Sequence, residues 1–116
     1  FMKLWVDDVR PAPKGYVWCN SVNDAIITIK LREARIENIL REYTPSEMRM
    51  KDLSIEVIDI DNDAGEYAQY GGDYIRLLDW LEETGRNYPI HIHSMNPVDV
   101  ENMRRIIQRN GWMEVK

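Results

Sequence analysis

The sequence has one cysteine, Cys19, among its 116 residues, and it has no long apolar run. A single thiol cannot form an internal disulfide, which fits a reducing compartment, although an inert buried thiol would look the same. A bilayer span needs roughly 18–20 apolar residues. No cationic start followed by an apolar run indicates a signal peptide. We therefore expect a cytoplasmic protein with no membrane segment.

Positive charge is also scarce, because 15 Lys and Arg face 20 Asp and Glu, for a formal net charge of -5. Without a cationic excess to displace counterions, generic binding to nucleic acid or to an anionic membrane is not expected. A local basic patch stays possible. The length and the 44% apolar residues fit one domain, which we place at residues 2–116. The oligomeric state cannot be predicted.

Strand-forming and helix-forming stretches alternate along the chain. Apolar runs predict strands at 3–6, 16–19, 55–60 and 89–94, with a weaker edge strand at 112–115. A cap at Ser21 opens one long helix or two joined helices that run towards Pro45. Residues 32–52, including a short helical turn at 44–47, are predicted to be an inserted or extended helical segment. Two further helices are predicted at 71–85 and 96–110.

This alternation implies right-handed crossovers and a small, doubly wound, mostly parallel α/β sheet. Strands buried on both faces are apolar nearly throughout, as these are. Trp5 and Trp18 lie on predicted central strands, so we expect both to be core residues rather than a surface for stacking bases. Ligands of such sheets bind beyond the carboxyl ends of the strands.

Acidic side chains stand where two strands end. Asp7 and Asp8 follow the first strand and Asp61 follows the third, while Ser94 follows the fourth. Carboxylates that meet at one sheet edge repel one another unless a cation intervenes, and Mg²⁺ prefers such oxygen ligands. Aspartate also forms strand-end turns without any metal, by bonding its own backbone. Two separate acid clusters favour a magnesium pocket suited to a phosphoryl group.

Two histidines and one arginine are candidates for chemistry near this edge. His91 and His93 are two apart on a strand and so face the same side. Opening a cyclic phosphate needs a base and an acid, for which histidine is suited near neutral pH. His93 is nearer the strand end, whereas His91 is expected to bond a local carbonyl. Arg10 could reach a ligand phosphate or form an ion pair with Asp8.

Several motifs together resemble a known family. Residues 4–13 read LWVDDVRPAP, 60–65 read IDNDAG, 93–97 read HSMNP and 101–103 read ENM. They are similar to the cyclic-phosphate-processing receiver-like family, which is related to the receiver domains of two-component signalling. The resemblance covers most of the chain, leaving out roughly residues 32–52. It implies a receiver or flavodoxin-like three-layer sandwich.

The resemblance also implies roles for individual residues. Asp7, Asp8 and Asp61 would bind Mg²⁺, with Asp61 at the position that accepts a phosphoryl group in receivers and Ser94 at the small hydroxyl position. We predict Asp61 and His93 to be catalytic. The predicted substrate-binding residues are Arg10, Asn62, Asp63, Ser94 and Asn96.

The chain departs from the family pattern at three places. Asn62 stands where the family has histidine, which removes one possible acid or base. Asp99 and Val100 stand where the family commonly has Gly-Arg, which removes a phosphate clamp. The lysine that ends the fifth strand of receivers has only Lys116 as a counterpart.

Two functions follow from this combination of residues. The first is a magnesium-dependent domain that binds or hydrolyses the cyclic phosphate of a nucleotide or of an RNA end. The alternative is a non-enzymatic signalling or interaction module that keeps the receiver scaffold. Retention of the three acids favours the first function, and the three departures favour the second.

Overall fold

The computed structural model describes residues 1–42 and 54–116. Their elements are four strands and three α-helices, with one 3-10 helix at Gly65–Gln69. The strands are β1 (Met2–Val6), β2 (Tyr16–Cys19), β3 (Ile55–Ile60) and β4 (Ile90–Ile92). The helices are α1 (Val22–Glu42), α2 (Ile75–Glu83) and α3 (Pro97–Asn110).

All four strands are parallel, in the order β2-β1-β3-β4. Leu4 of β1 is in register with Ile58 of β3, which is itself in register with Ile90 of β4. The predicted α/β class, with a parallel receiver-like sheet, is confirmed. Because parallel strands end at a common edge, the residues that follow β1, β3 and β4 meet there.

The three helices pack on one face of the sheet. α1 contacts α2, and α2 contacts α3. The crossovers from β2 to β3 and from β3 to β4 step in the same direction, so right-handedness puts both helices on the same side. This helical face buries a mainly apolar layer, whose largest members are Tyr74, Leu4, Ile29, Ile58, Ile60, Leu77, Leu78, Leu81, Ile90, Met103, Ile107 and Val6. The Tyr74 hydroxyl donates to the carbonyl of Asn20 at 2.6 Å.

The opposite face of the sheet, here called the open face, carries none of these helices. A loop at 7–15 joins β1 to β2, and its prolines and Gly15 disfavour a helix. The helix that would cover this face in a three-layer sandwich is therefore not found within 1–42 or 54–116. The open face is covered by side chains of the sheet itself: Trp5, Tyr16, Trp18, Val57, Asp59 and His91.

The element boundaries refine the predictions from sequence. The stretch after Ser21 is one helix that continues to Glu42, and the predicted turn at 44–47 lies outside the described residues. The fourth strand is three residues long. The predicted edge strand at 112–115 is reduced to a single parallel bridge between Ile90 and Glu114. No helix of the part described is long and apolar enough to cross a membrane.

Candidate metal and phosphate site

The site is built on the turn that follows β1. Asp7 is fully buried, and its Oδ1 accepts the backbone N–H groups of Val9 at 2.9 Å and of Arg10 at 3.0 Å. An aspartate bonding the backbone two and three residues on is the usual reason for aspartate in such a turn. Those bonds use only Oδ1, so Oδ2 is left to face the neighbouring strand ends.

Two tryptophans of the open face hold this turn in place. Trp5 donates its indole N–H to the carbonyl of Arg10 at 2.9 Å. Trp18 donates its indole N–H to the carbonyl of Asp7 at 2.8 Å. The ring of Trp5 also stacks on the imidazole of His93, with centroids 4.0 Å apart and planes 3° from parallel. The aromatic cover of the open face therefore positions the acidic turn.

A carboxylate, an imidazole and a second carboxylate form a row beneath the strand ends. Nδ1 of His93 lies 2.5 Å from Oδ1 of Asp59, and Nε2 lies 2.9 Å from Oδ2 of Asp7. The side chains of His93 and Asp59 are 9% and 8% exposed. Ionised carboxylates only accept hydrogen bonds, so both bonds form together when both ring nitrogens carry protons. The row therefore favours a positively charged His93.

The titration behaviour of this row has a clear physical cause. Burial alone lowers the pKa of His93, but its hydrogen bonds to Asp59 and Asp7 outweigh that effect and raise the pKa. Burial likewise raises the pKa of Asp7, but the N–H groups of Arg10 and Val9 and the bond to His93 outweigh it, so that pKa is lowered. His93 and Asp7 thus stabilise each other as a charged pair.

Asp61 completes the cluster from the end of β3. Its backbone N–H donates to the carbonyl of Val6 at 2.9 Å, which aligns the ends of β1 and β3. Ligand atoms of Asp7, Asp61 and His93 all lie within 4.8 Å of one another. This trio includes His93, which the sequence suggested as a catalytic group, and it does not include Asp8.

Asp8 lies beside the trio and is electrostatically coupled to it. Burial raises the pKa of Asp8, and so do the charges of Asp7, Asp61 and Asp63. A Cβ added at Gly65, whose φ is +54°, would stand 2.6 Å from Oδ2 of Asp8. Only glycine leaves the Asp8 carboxylate room in this position. Asp8 and the three acids to which it is coupled thus lie together at one edge of the sheet.

The remaining predicted site residues have local partners. Asn62 donates its amide to the carboxylate of Asp99, so two of the positions that depart from the family pattern contact each other. Oδ1 of Asn96 caps α3 by accepting from Val98 and Asp99, and Oγ of Ser94 accepts the N–H of Asn96 at 3.2 Å.

Arg10 and Asp63 are more exposed than the buried row. The Arg10 side chain is exposed and forms no ion pair with any residue of 1–42 or 54–116, so the predicted contact with Asp8 is not formed. Oδ1 of Asp63 accepts the N–H of Gly65 at 2.8 Å. Lys116, the counterpart of the receiver lysine, pairs with Glu114 at 3.1 Å instead of an acid of the cluster.

The sequence analysis missed Asp59 as a member of the site. Asp59 stands between two isoleucines near the end of the run Ile55–Ile60, and this is the signal that could have identified it, because a buried charge in a strand needs a partner. His91 fits its expected role, since its Nδ1 lies 2.7 Å from the carbonyl of Val115. The expectation that Trp18 is a core residue is wrong, because 39% of it is exposed.

The donor set suits a hard divalent cation. Asp7, Asp8 and Asp61 offer carboxylate oxygens at one sheet edge. The pKa of Asp8 is raised first by burial and then by the charges of its acidic neighbours, and a cation would relieve that repulsion. Magnesium prefers a few carboxylates together with water and phosphate oxygens. The residues present therefore fit the metal that the acidic motif suggested.

Comparison with known proteins gives one match. The family model described as "Cyclic-phosphate processing Receiver domain" matches residues 2–109. No curated protein and no solved structure matches the chain significantly. The matched range includes the acidic turn after β1, the end of β3 and the His93 strand end.

Proposed function

The chain belongs to the family of cyclic-phosphate processing receiver domains, and from that membership we propose that its acidic pocket binds Mg²⁺ and hydrolyses a cyclic phosphate. The substrate class is the cyclic phosphate of a nucleotide or of an RNA end. The observation that supports this proposal best is the meeting of Asp7, Asp61 and His93 within 4.8 Å, with Asp8 coupled to them.

We assign the metal to carboxylates rather than to histidine. Asp7, Asp8 and Asp61 would hold Mg²⁺, because both nitrogens of His93 already face carboxylates and Mg²⁺ prefers oxygen. When bound, the metal would polarise a phosphoryl oxygen and offset the charge that develops on it. Asp7 can contact both the metal and His93, since its Oδ1 accepts from the turn and its Oδ2 faces the cluster.

The catalytic roles follow from the direction of the His93 ring. Water attacks phosphorus, the new P–O bond forms, and one P–O bond of the cyclic ester breaks. Asp61 takes up the proton that the water loses. His93 gives its Nε2 proton to the leaving oxygen, because that nitrogen points to the cluster, while Asp59 holds the other nitrogen and orients the ring.

The substrate-binding roles use groups that the local bonds leave available. Ser94 retains a hydroxyl proton and Asn96 retains its amide N–H groups, because their bonds to the backbone N–H groups of Asn96 and Val98 use only acceptor oxygens. Arg10 is an exposed cation at the end of the acidic turn. Beside Asp61, the side-chain carbonyl oxygen of Asn62 and Oδ2 of Asp63 are left by the bonds to Asp99 and Gly65, and they would accept from the sugar hydroxyls.

A non-enzymatic module is the second candidate, and a specific observation favours it. Position 62 is asparagine rather than histidine, so it supplies no second acid or base, and its amide is bonded to Asp99. In this case the domain would bind Mg²⁺ and a phosphate ligand and pass occupancy to a partner. Turnover separates the two candidates.

The test is release of product from purified protein. A panel of cyclic nucleotides and RNA cyclic ends should be hydrolysed with Mg²⁺, and chelation should stop the reaction reversibly. Asp61→Asn and His93→Gln should abolish release, whereas Asp79→Asn on α2 should not. Binding of a panel member without hydrolysis would replace the enzyme with the second candidate. Absence of both binding and hydrolysis would overturn both proposals.

A further inference from the structure

Three aromatic side chains lie side by side on the open face, next to the acidic turn. Trp5 and Trp18 are register partners on β1 and β2. Tyr16 meets Trp5 edge to face, with centroids 5.8 Å apart and planes at 81°. Their roles differ, because Trp5 is stacked on His93, whereas Trp18 stacks on no ring of residues 1–42 or 54–116 and is 39% exposed.

Trp18 is exposed but fixed in orientation. Its indole N–H bonds the carbonyl of Asp7 at 2.8 Å, and Asp7 is the buried centre of the metal site. An exposed indole that is held by its polar edge presents a flat apolar surface whose orientation is settled before a ligand arrives. Such preorganisation lowers the entropy that a stacking contact costs.

Trp18 is bonded directly to the backbone of Asp7, one of the proposed metal ligands. In the proposed site the Asp7 carboxylate would hold the Mg²⁺ that contacts the phosphate, and the Asp7 carbonyl accepts the indole N–H of Trp18, so both contacts involve the same residue. The exposed Arg10 follows three residues later in the same turn, and a cation beside an aromatic ring is the combination that binds single-stranded nucleotides. The acidic turn therefore carries an exposed cation and bonds an exposed indole, although the net charge of the chain is negative.

We infer that Trp18 stacks on the nucleobase of the ligand, so that affinity depends on the base as well as on the cyclic phosphate. This inference rests on the proposed function and adds to it the residue that binds the base. Trp18 is a binding and specificity residue in this scheme, since it contacts the base and not the reacting phosphorus.

The test compares two ligands that differ only in the base. They are adenosine 2′,3′-cyclic phosphorothioate and the methyl riboside with the same cyclic phosphorothioate, whose rings open slowly enough for binding to be measured by calorimetry with Mg²⁺. Trp18→Ala should weaken the adenosine ligand about 10- to 100-fold, as loss of a stacked base does. The methyl riboside should bind Trp18→Ala and wild type alike.

Two further variants separate stacking from support of the Asp7 turn. Trp18→Phe keeps a ring but loses the N–H, so it should retain most of the adenosine affinity if stacking matters. Leu31→Ala removes another exposed apolar side chain, on α1, and should change neither ligand. Equal weakening of both ligands by Trp18→Ala, or equal wild-type affinity for both, would overturn the inference and leave the proposed function intact.

Failure of the proposed function has a different signature. If neither ligand binds wild type in the presence of Mg²⁺, the phosphate site itself is wrong and the stacking role is lost with it. A trinucleotide that carries the same cyclic end adds a third arm. Tighter binding of the trinucleotide identifies RNA ends as the ligand, and equal binding identifies the free nucleotide. Both results support a base-stacking role for Trp18.

Discussion

The two faces of the sheet differ in the kind of side chain that they bury. The helical face buries mainly apolar side chains, from strands and from all three helices, and the hydroxyl of the buried Tyr74 donates to the carbonyl of Asn20. The open face places Asp59, His93 and Trp5 in contact with one another, with buried charges held by hydrogen bonds. The first arrangement contributes stability through area removed from water. The second fixes the orientation of charged groups, which is what a binding site requires.

The sharpest test of this difference is a pair of neighbours on β3. Ile58 points to the helical face and is fully buried, and Val57 points to the open face at 8% exposure. Ile58→Ala should cost about 3–4 kcal/mol of unfolding free energy, because a closed core leaves a cavity. Val57→Ala should cost about 1–2 kcal/mol, since Val57 borders an open hollow. Equal losses in urea unfolding would show that both faces are packed alike.

A second test asks whether the acids at the strand ends lower the stability of the metal-free protein and favour metal binding. Burial and the charges of Asp7, Asp61 and Asp63 raise the pKa of Asp8, so its ionised form disfavours the fold. The penalty grows as the pH rises from the ordinary pKa of an aspartate to that raised pKa, and it is fully present above the raised pKa. Saturating Mg²⁺ should stabilise wild type by about 2.7 kcal/mol at a hundred times the dissociation constant.

Asp8→Asn should remove the charge penalty on the fold and should also remove most of the stabilisation by Mg²⁺. Without metal the variant should melt a few degrees above wild type at pH 7, roughly 3–6 °C if about 1 kcal/mol of repulsion is removed. With Mg²⁺ it should gain little. Thermal unfolding at pH 7, with and without the metal, measures both. An Asp8→Asn protein that is less stable than wild type without metal would show that Asp8 is a structural cap.

The sequence predicts the helical face better than the open face. The apolar spacing of Leu77, Leu78 and Leu81 predicts a buried helix surface, and the acids after β1 and β3 meet because parallel strands end together. The row through Asp59 is harder to predict, because it joins residues 34 positions apart through one bond. The exposure of Trp18 depends on the loop at 7–15 taking the place of a helix.

The third test concerns the point where the chain after α3 returns to the sheet. Arg104 donates to both carboxylate oxygens of Glu114, at 2.8 and 2.7 Å. That bond, opposed by partial burial and aided by Lys116, lowers the pKa of Glu114 to about 2. The stabilisation is therefore complete above the ordinary pKa of a glutamate and is lost as the pH falls towards about 2.

Glu114→Gln should cost about 1–2 kcal/mol at pH 7, the range of a charge-assisted bidentate pair near the surface. The difference from wild type should shrink as the pH falls below the ordinary pKa of a glutamate, because the unfolded state of the wild type then takes up a proton at Glu114, and it should vanish near pH 2, where the folded state does so too. Glu83→Gln, an exposed acid at the end of α2, is the control and should change nothing. A loss that does not depend on pH would mean that shape, rather than charge, holds this segment.

The smallest expected effect separates the two histidines of the open face. His91 and His93 have the same spacing signal, but Nδ1 of His91 faces the carbonyl of Val115, while His93 bridges two carboxylates. His91→Gln keeps an amide that can donate to that carbonyl, so it should change stability by less than about 0.5 kcal/mol and turnover by less than about twofold. His93→Gln should abolish turnover of the same substrate while leaving the protein folded. If both variants lose turnover equally, then the whole open face, rather than its edge beside the acids, carries the chemistry.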